Sequence, residues 1–209
     1  ELIETYKITK DHVEDVISEL KCYENSKQFY YKIRETVYDS PIKRTARFIY
    51  LNQTSYNGIY RVNLNGKYNV PFGYRNKNFL QADTLRQASK LLKKSHLFFG
   101  DFELCKNNIV KNDLVFLDPP YTVSHNNNSF IKYNQKLFSI EDQYRLSKLI
   151  DYIKSKEAYY ILSNAAHYQI AEIFNKNDLR VELNRASLVG GKNAKRGNII
   201  EYIFTNIIL

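Results

Sequence analysis

No methionine occurs in this sequence, not even at position 1, so the reading frame is expected to continue upstream of Glu1. Cysteine is nearly absent too. Cys22 and Cys105 stand far apart and match neither a disulfide framework nor a metal-ligand spacing, which fits a reducing compartment and makes the cytoplasm the expected location. No apolar run approaches the ~20 residues that a membrane-spanning helix needs. No signal peptide is visible. Neither a membrane partner nor a metal is therefore expected. Acidic residues are the minority charge: 22 Asp and Glu stand against 31 Lys and Arg, a net +9. That excess suits a polyanionic partner, though charge alone does not decide it, because AT-rich genomes encode lysine-rich proteins with no nucleic-acid role. The 209 residues suffice for one domain, or one domain with a subdomain, and 44% hydrophobic residues can build its core.

What is present centres on Leu114-Val115-Phe116-Leu117-Asp118-Pro119-Pro120-Tyr121. Four successive apolar residues read as a buried central strand. The strand must end at Pro119, which has no N–H for a ladder. Asp118 thus falls at the carboxyl end of a buried strand, the edge where open α/β sheets bind ligands. Two prolines stiffen the backbone, so that the Asp118 carboxylate and the Pro119 carbonyl can accept from the same group. An exocyclic amino group has two N–H donors to offer them, and Tyr121 supplies a flat face for a planar ring. Two acceptors drawing on the hydrogens of such an amino group favour the geometry in which its lone pair is free to attack. The bland alternative is a strand followed by an ordinary Asp-Pro turn.

Asp118-Pro119-Pro120-Tyr121 resembles the catalytic motif of the amino-group DNA methyltransferases. Upstream, Tyr56-Asn57-Gly58-Ile59-Tyr60-Arg61-Val62-Asn63 and Gly66-Lys67-Tyr68-Asn69-Val70-Pro71-Phe72-Gly73 resemble the target-recognition segment of the Dam-type (D12 class) adenine methyltransferases. The resemblance implies an α/β, Rossmann-like fold dependent on S-adenosylmethionine, with a helical target-recognition subdomain carrying a β-hairpin. It places the catalytic domain at residues 1–10 and 93–209, and the recognition subdomain at 11–92 with its hairpin near 56–74. It further implies methylation of adenine N6 in duplex DNA by base flipping, in GATC or another GAT-containing site, by a monomer, in a restriction–modification or phage setting. The family's Phe-x-Gly-x-Gly turn for the methionine part of the cofactor is not found in this sequence. The catalytic fold is therefore expected to be N-terminally incomplete here, with half a cofactor site. A catalytically inactive sequence-specific DNA-binding module is the alternative.

In order, residues 11–22 read as a helix capped by Asp11, and residues 29–37 and 41–51 as two more, with their Tyr and Phe in the core. Residues 52–78 are rich in Asn, Gly, Tyr and Arg, and Asn65-Gly66 signals a hairpin turn. A two-stranded ribbon fits the DNA major groove. The resemblance assigns base contacts to positions matching Ile59, Arg61 and Pro71, and Tyr56, Asn57, Tyr74 and Arg75 complete the expected DNA-binding set. The family often has Arg directly after the glycine matching Gly73, whereas here Tyr74 intervenes before Arg75. Residues 80–92 read as an amphipathic helix, and 96–99 as an apolar strand ending in Gly100-Asp101-Phe102. By the resemblance Asp101 accepts from the cofactor adenine, Phe102 lies against its ring, and Asp118 also borders the cofactor. Alternatively Asp101 caps a helix. Residues 122–137, with His125, read as a mobile loop. Ser139 caps a helix to residue 153. Residues 159–164 read as a buried strand, 165–174 as a helix, and 179–186 with 198–206 as an antiparallel pair. The basic Gly190–Gly197 tip offers Lys192, Lys195 and Arg196 to DNA phosphates.

Overall fold

The computed structural model describes residues 1–63, 65–75, 78–121, 138–186 and 198–208. The chain divides into two compact units, Glu1–Phe99 and Gly100–Leu209. Residues 1–10 and 93–99, which the resemblance gives to the catalytic part, thus group by packing with the first unit. Among the described residues no helix is long and apolar enough to cross a membrane.

The first unit is built from helices α1 (Leu2–Asp11), α2 (Val13–Lys21), α3 (Lys27–Glu35), α4 (Pro41–Thr54) and α5 (Ala82–Leu92). The helix expected from residue 11 starts later. Asp11 ends α1, and His12, at φ −131°, separates α1 from α2 and caps α2 with no side-chain bond. The apolar stripe Val16, Ile17 and Leu20 is buried as its periodicity implies. Ser26 and Ser40 cap α3 and α4 through bonds to the Phe29 and Lys43 amides, and Pro41 takes the first turn, where its missing N–H costs nothing. The aromatic residues form the core: Tyr23, Tyr30, Tyr50, Phe72 and Phe79 are all buried and meet edge-to-face or tilted. The Tyr30 and Tyr50 hydroxyls find carbonyls, Tyr30 donating to Val70 at 2.9 Å and Tyr50 to Glu24 at 2.7 Å.

Between α4 and α5 the expected hairpin is an antiparallel loop rather than a regular ribbon. Among the described residues its ladder pairing consists of two isolated bridges, Ser55 with Phe72 and Val62 with Tyr68. The sequence explains this. The Asn63 side chain accepts from the amides of Asn65 and Lys67, drawing the backbone into a turn. Tyr68 and Val70, two residues apart, both bury into the helical core. At the base of the loop, residues 54–56 and 71–73 cross through Tyr56 N–H to Pro71 O (2.9 Å) and Gly73 N–H to Thr54 O (2.8 Å).

The second unit is mixed α/β. Its sheet has the order β1-β2-β4-β3, from β1 (Leu114–Leu117), β2 (Tyr159–Ala165), β3 (Leu179–Ala186) and β4 (Asn198–Thr205). β1 and β2 are parallel, and β4 is antiparallel to both β2 and β3. Helices α6 (Ile140–Ser155) and α7 (Tyr168–Ile173) flank it. Leu146, Leu149, Ile150 and Ile153 of α6 pack with Tyr160, Leu162, Ile170, Phe174 and Phe204 in one core. Ser139 caps α6 in a full capping box with Asp142.

Two expectations are corrected here. β1 is not central: among the described strands it lies at the sheet edge, with Leu114 and Phe116 exposed and Val115 and Leu117 turned inward. The four-residue run hid an alternation that only the sheet's two unlike faces reveal. Residues 96–99 form no strand, and Phe98 and Phe99 are exposed, because an apolar run becomes a strand only where another strand can pair with it.

Candidate active site and recognition loop

β1 delivers Asp118 to the carboxyl end of the sheet. Leu117 pairs with Leu162 in parallel register, so the next residue of each strand, Asp118 and Ser163, are neighbours. The Ser163 hydroxyl donates to Asp118 Oδ1 at 2.7 Å. One carboxylate oxygen of this exposed residue is thereby fixed. Beside Ser163, the fully buried Asn164 amide donates to Gln143 of α6 at 3.0 Å, tying the end of β2 to that helix. Beyond the prolines, Tyr121 donates its hydroxyl to Glu201 of β4 at 2.8 Å. The Asp-Pro-Pro-Tyr turn is thus held at its first residue by β2 and at its last by β4.

A cavity of about 480 Å³ opens at this turn, lined on one side by Phe116, Leu117, Asp118, Pro119 and Pro120. Gly100, Asp101 and Phe102 line the facing side, and Phe138, Asp142, Arg145 and Leu146 complete it. The two segments expected to hold a cofactor and an amino group therefore border one space. Asp101 also caps the short 3-10 stretch Phe102–Asn108 by accepting from Glu103 N–H at 2.9 Å. Its carboxyl is held below the usual carboxylate range, first by the Arg145 guanidinium and then by that amide. Asp142 is likewise lowered, first by the Ser139 amide. Sequence reading missed Arg145 and Glu201. Both lie in ordinary-looking stretches and gain a role only through partners 44 and 80 residues away. The cavity wall carries an aromatic ring in Phe102, the carboxylates of Asp101, Asp118 and Asp142, the Arg145 guanidinium, and apolar Phe116 and Leu117.

In the first unit the expected recognition residues share the loop. Tyr56, Ile59, Arg61, Pro71 and Tyr74 are exposed, and Arg75 is half-buried. Arg61 donates to Asn69, Nε to Oδ1 at 2.8 Å and Nη2 to the carbonyl at 3.2 Å, so its guanidinium is already oriented. Asn57, Gly58 and Tyr74 all have positive φ, at 54°, 64° and 51°. The Arg75 guanidinium lies against Gly58, 3.4 Å from where a Cβ would stand. A Cβ on Gly73 would fall 2.4 Å from the Ser55 carbonyl oxygen, so the crossing requires glycine there. Lys192, Lys195 and Arg196, and the expected mobile loop with His125, lie outside the described residues.

A family model described as D12 class N6 adenine-specific DNA methyltransferase matches residues 1–187, across both units. The chain belongs to that family. It is 36% identical over 180 residues to the type II methyltransferase M.MjaIII of Methanocaldococcus jannaschii, covering 79% of this chain and 62% of the relative. It is 33% identical over 218 residues to the type II methyltransferase M1.LlaDCHI of Lactococcus lactis subsp. cremoris, covering 99% and 76%. The DNA adenine methylase of Escherichia coli K12 is 30% identical over 198 residues, covering 90% of this chain and 70% of the relative. The chain thus spans between about three-fifths and three-quarters of the length of these D12 relatives.

Proposed function

We propose that this D12-class chain serves, within its full-length protein, to transfer a methyl group from S-adenosylmethionine to the N6 amino group of adenine in duplex DNA. The observation that carries this reading is the single cavity bordered by both Gly100-Asp101-Phe102 and Asp118-Pro119-Pro120. The cofactor, when bound, supplies an electrophilic methyl carbon. Asp101 and Phe102 would hold its adenine by an acceptor and a ring face. Asp118, gripped on one oxygen by Ser163, would accept with the other from the target amino group, and the Pro119 carbonyl would take the second N–H. Electron density drawn toward the nitrogen then leaves its lone pair free for attack. Such help comes from positioning and from fixed acceptors. Tyr121, steadied by Glu201, would stack on the target base, which must leave the duplex to reach this edge.

In this reading the sheet unit is the catalytic part of a Rossmann-like fold, and the helical unit is the target-recognition part. Ile59 and Arg61 would meet base edges in the major groove, Arg61 at guanine O6 and N7 and Ile59 at a thymine methyl. GATC is the first target proposed, with a longer GAT-containing site second. The test is methyl transfer from labelled S-adenosylmethionine by the full-length protein, with the modified atom mapped. Label on adenine N6 within a GAT-containing duplex is expected. Label on RNA or protein, or none on DNA, would overturn the reading.

A further inference from the structure

Arg145 of α6 is held among three carboxylates at the cavity wall. Its Nη2 lies 2.8 Å from both carboxylate oxygens of Asp101. Nε lies 3.3 Å from Glu103, and Nη1 donates to Asp142 at 2.9 Å. The guanidinium plane also sits over the Phe102 ring, 4.8 Å from its centre. One side chain therefore touches both residues assigned to the adenine end of the cofactor, and it is anchored to the first turn of its own helix through Asp142. Arginine is suited to this: its planar fork can meet three carboxylates and stack on a ring at once, which a lysine ammonium cannot. Gly100, just before Asp101, holds φ +148°, a conformation that favours glycine, and a Cβ there would fall 2.5 Å from Leu104.

We infer that Arg145 is a positioning residue for the cofactor's nucleoside end, holding the Asp101 carboxylate and the Phe102 ring in the arrangement that receives adenine. The inference rests on the proposed function, since it takes the cavity as the cofactor site. Arg145 acts through Asp101 and Phe102 and needs no contact with the transferred methyl or with DNA.

That division makes it testable by calorimetry on the full-length protein, with adenosine and S-adenosylhomocysteine as probes. Arg145→Ala should weaken both by the same factor, about tenfold, because the loss lies in the part they share. Arg145→Lys, which can still pair with Asp101 but cannot lie flat on Phe102, should fall between Arg145→Ala and the wild type. At saturating S-adenosylmethionine, kcat and the KM for DNA should stay within about twofold of wild type. If Arg145→Ala binds both probes as tightly as the wild type, the role of Arg145 is overturned and the cavity reading stands. A wild type that binds neither probe overturns the cavity reading as well. Should Arg145→Ala lose its circular dichroism signature, Arg145→Lys decides: wild-type affinity there refutes the role, and a partial loss of nucleoside affinity with unchanged kcat supports it.

Discussion

Asp118 is exposed yet constrained, and that pairing matters at the level of single residues. A carboxylate proposed to meet an incoming base has to be reachable, and Ser163 fixes Asp118 while leaving it exposed. Asp118→Ala should abolish methyl transfer by the full-length enzyme while leaving DNA binding largely in place, because phosphate and groove contacts lie elsewhere. A filter-binding and methylation assay on one preparation checks both, and methylation within about tenfold of wild type would refute the role. Arg61 makes a second prediction. Its guanidinium is preset by Asn69, so it should meet a base at little ordering cost. Arg61→Ala should cost about 1–3 kcal/mol on the cognate site and much less on non-specific DNA, with specificity relaxed at one base pair. Methylation rates on sites each altered at one position give the answer. Uniform slowing on all of them would make Arg61 a phosphate clamp instead.

Among the elements, α6 shows what local sequence can and cannot announce. Its start was legible: Ser139, two acids in the next three positions and an apolar stripe fix a capped helix. Replacing Ser139 by Ala should cost about 1 kcal/mol. The same cap sets a pH response. Asp142 and Asp101 both sit below their ordinary value of 3.8 in the folded chain. Their stabilising contribution is therefore complete above that value and is lost as pH falls through the lower folded-state value. The thermal midpoint should drop as the solution is acidified below about pH 4, and Asp142→Asn should flatten that drop. A melting series from about pH 6 to about pH 3 tests it. What the sequence could not announce was partnership. The Leu114–Leu117 strand was legible, but its edge position was not, since strand order depends on pairings far along the chain. The apolar residues 96–99 look like a strand for the same reason that β1 does, and differ in having no ladder to join among the described residues. The turn Asn63–Lys67 was legible as a hairpin signal, whereas the inward rotation of Tyr68 was decided by the helical core beneath it. Arg145 carried little signal because, apart from its pairing with Asp142 one turn away, its partners Asp101, Phe102 and Glu103 are tertiary.

For the whole molecule, the net charge of +9 predicts that DNA affinity will fall steeply with added salt. Removing Lys192, Lys195 and Arg196 together should flatten the slope of log affinity against log salt by about 0.9 for each phosphate that is no longer neutralised. An unchanged slope would mean those three charges stay in solvent. Ser55, Phe72 and Gly73 lock the neck of the loop and Tyr68 plugs it into the helices, whereas Arg61, Asn65 and Lys67 stand exposed. Under the proposed recognition role, target choice is separable from the fold: grafting residues 61–67 from a D12 relative onto this neck should change the methylated site and leave the melting temperature in place.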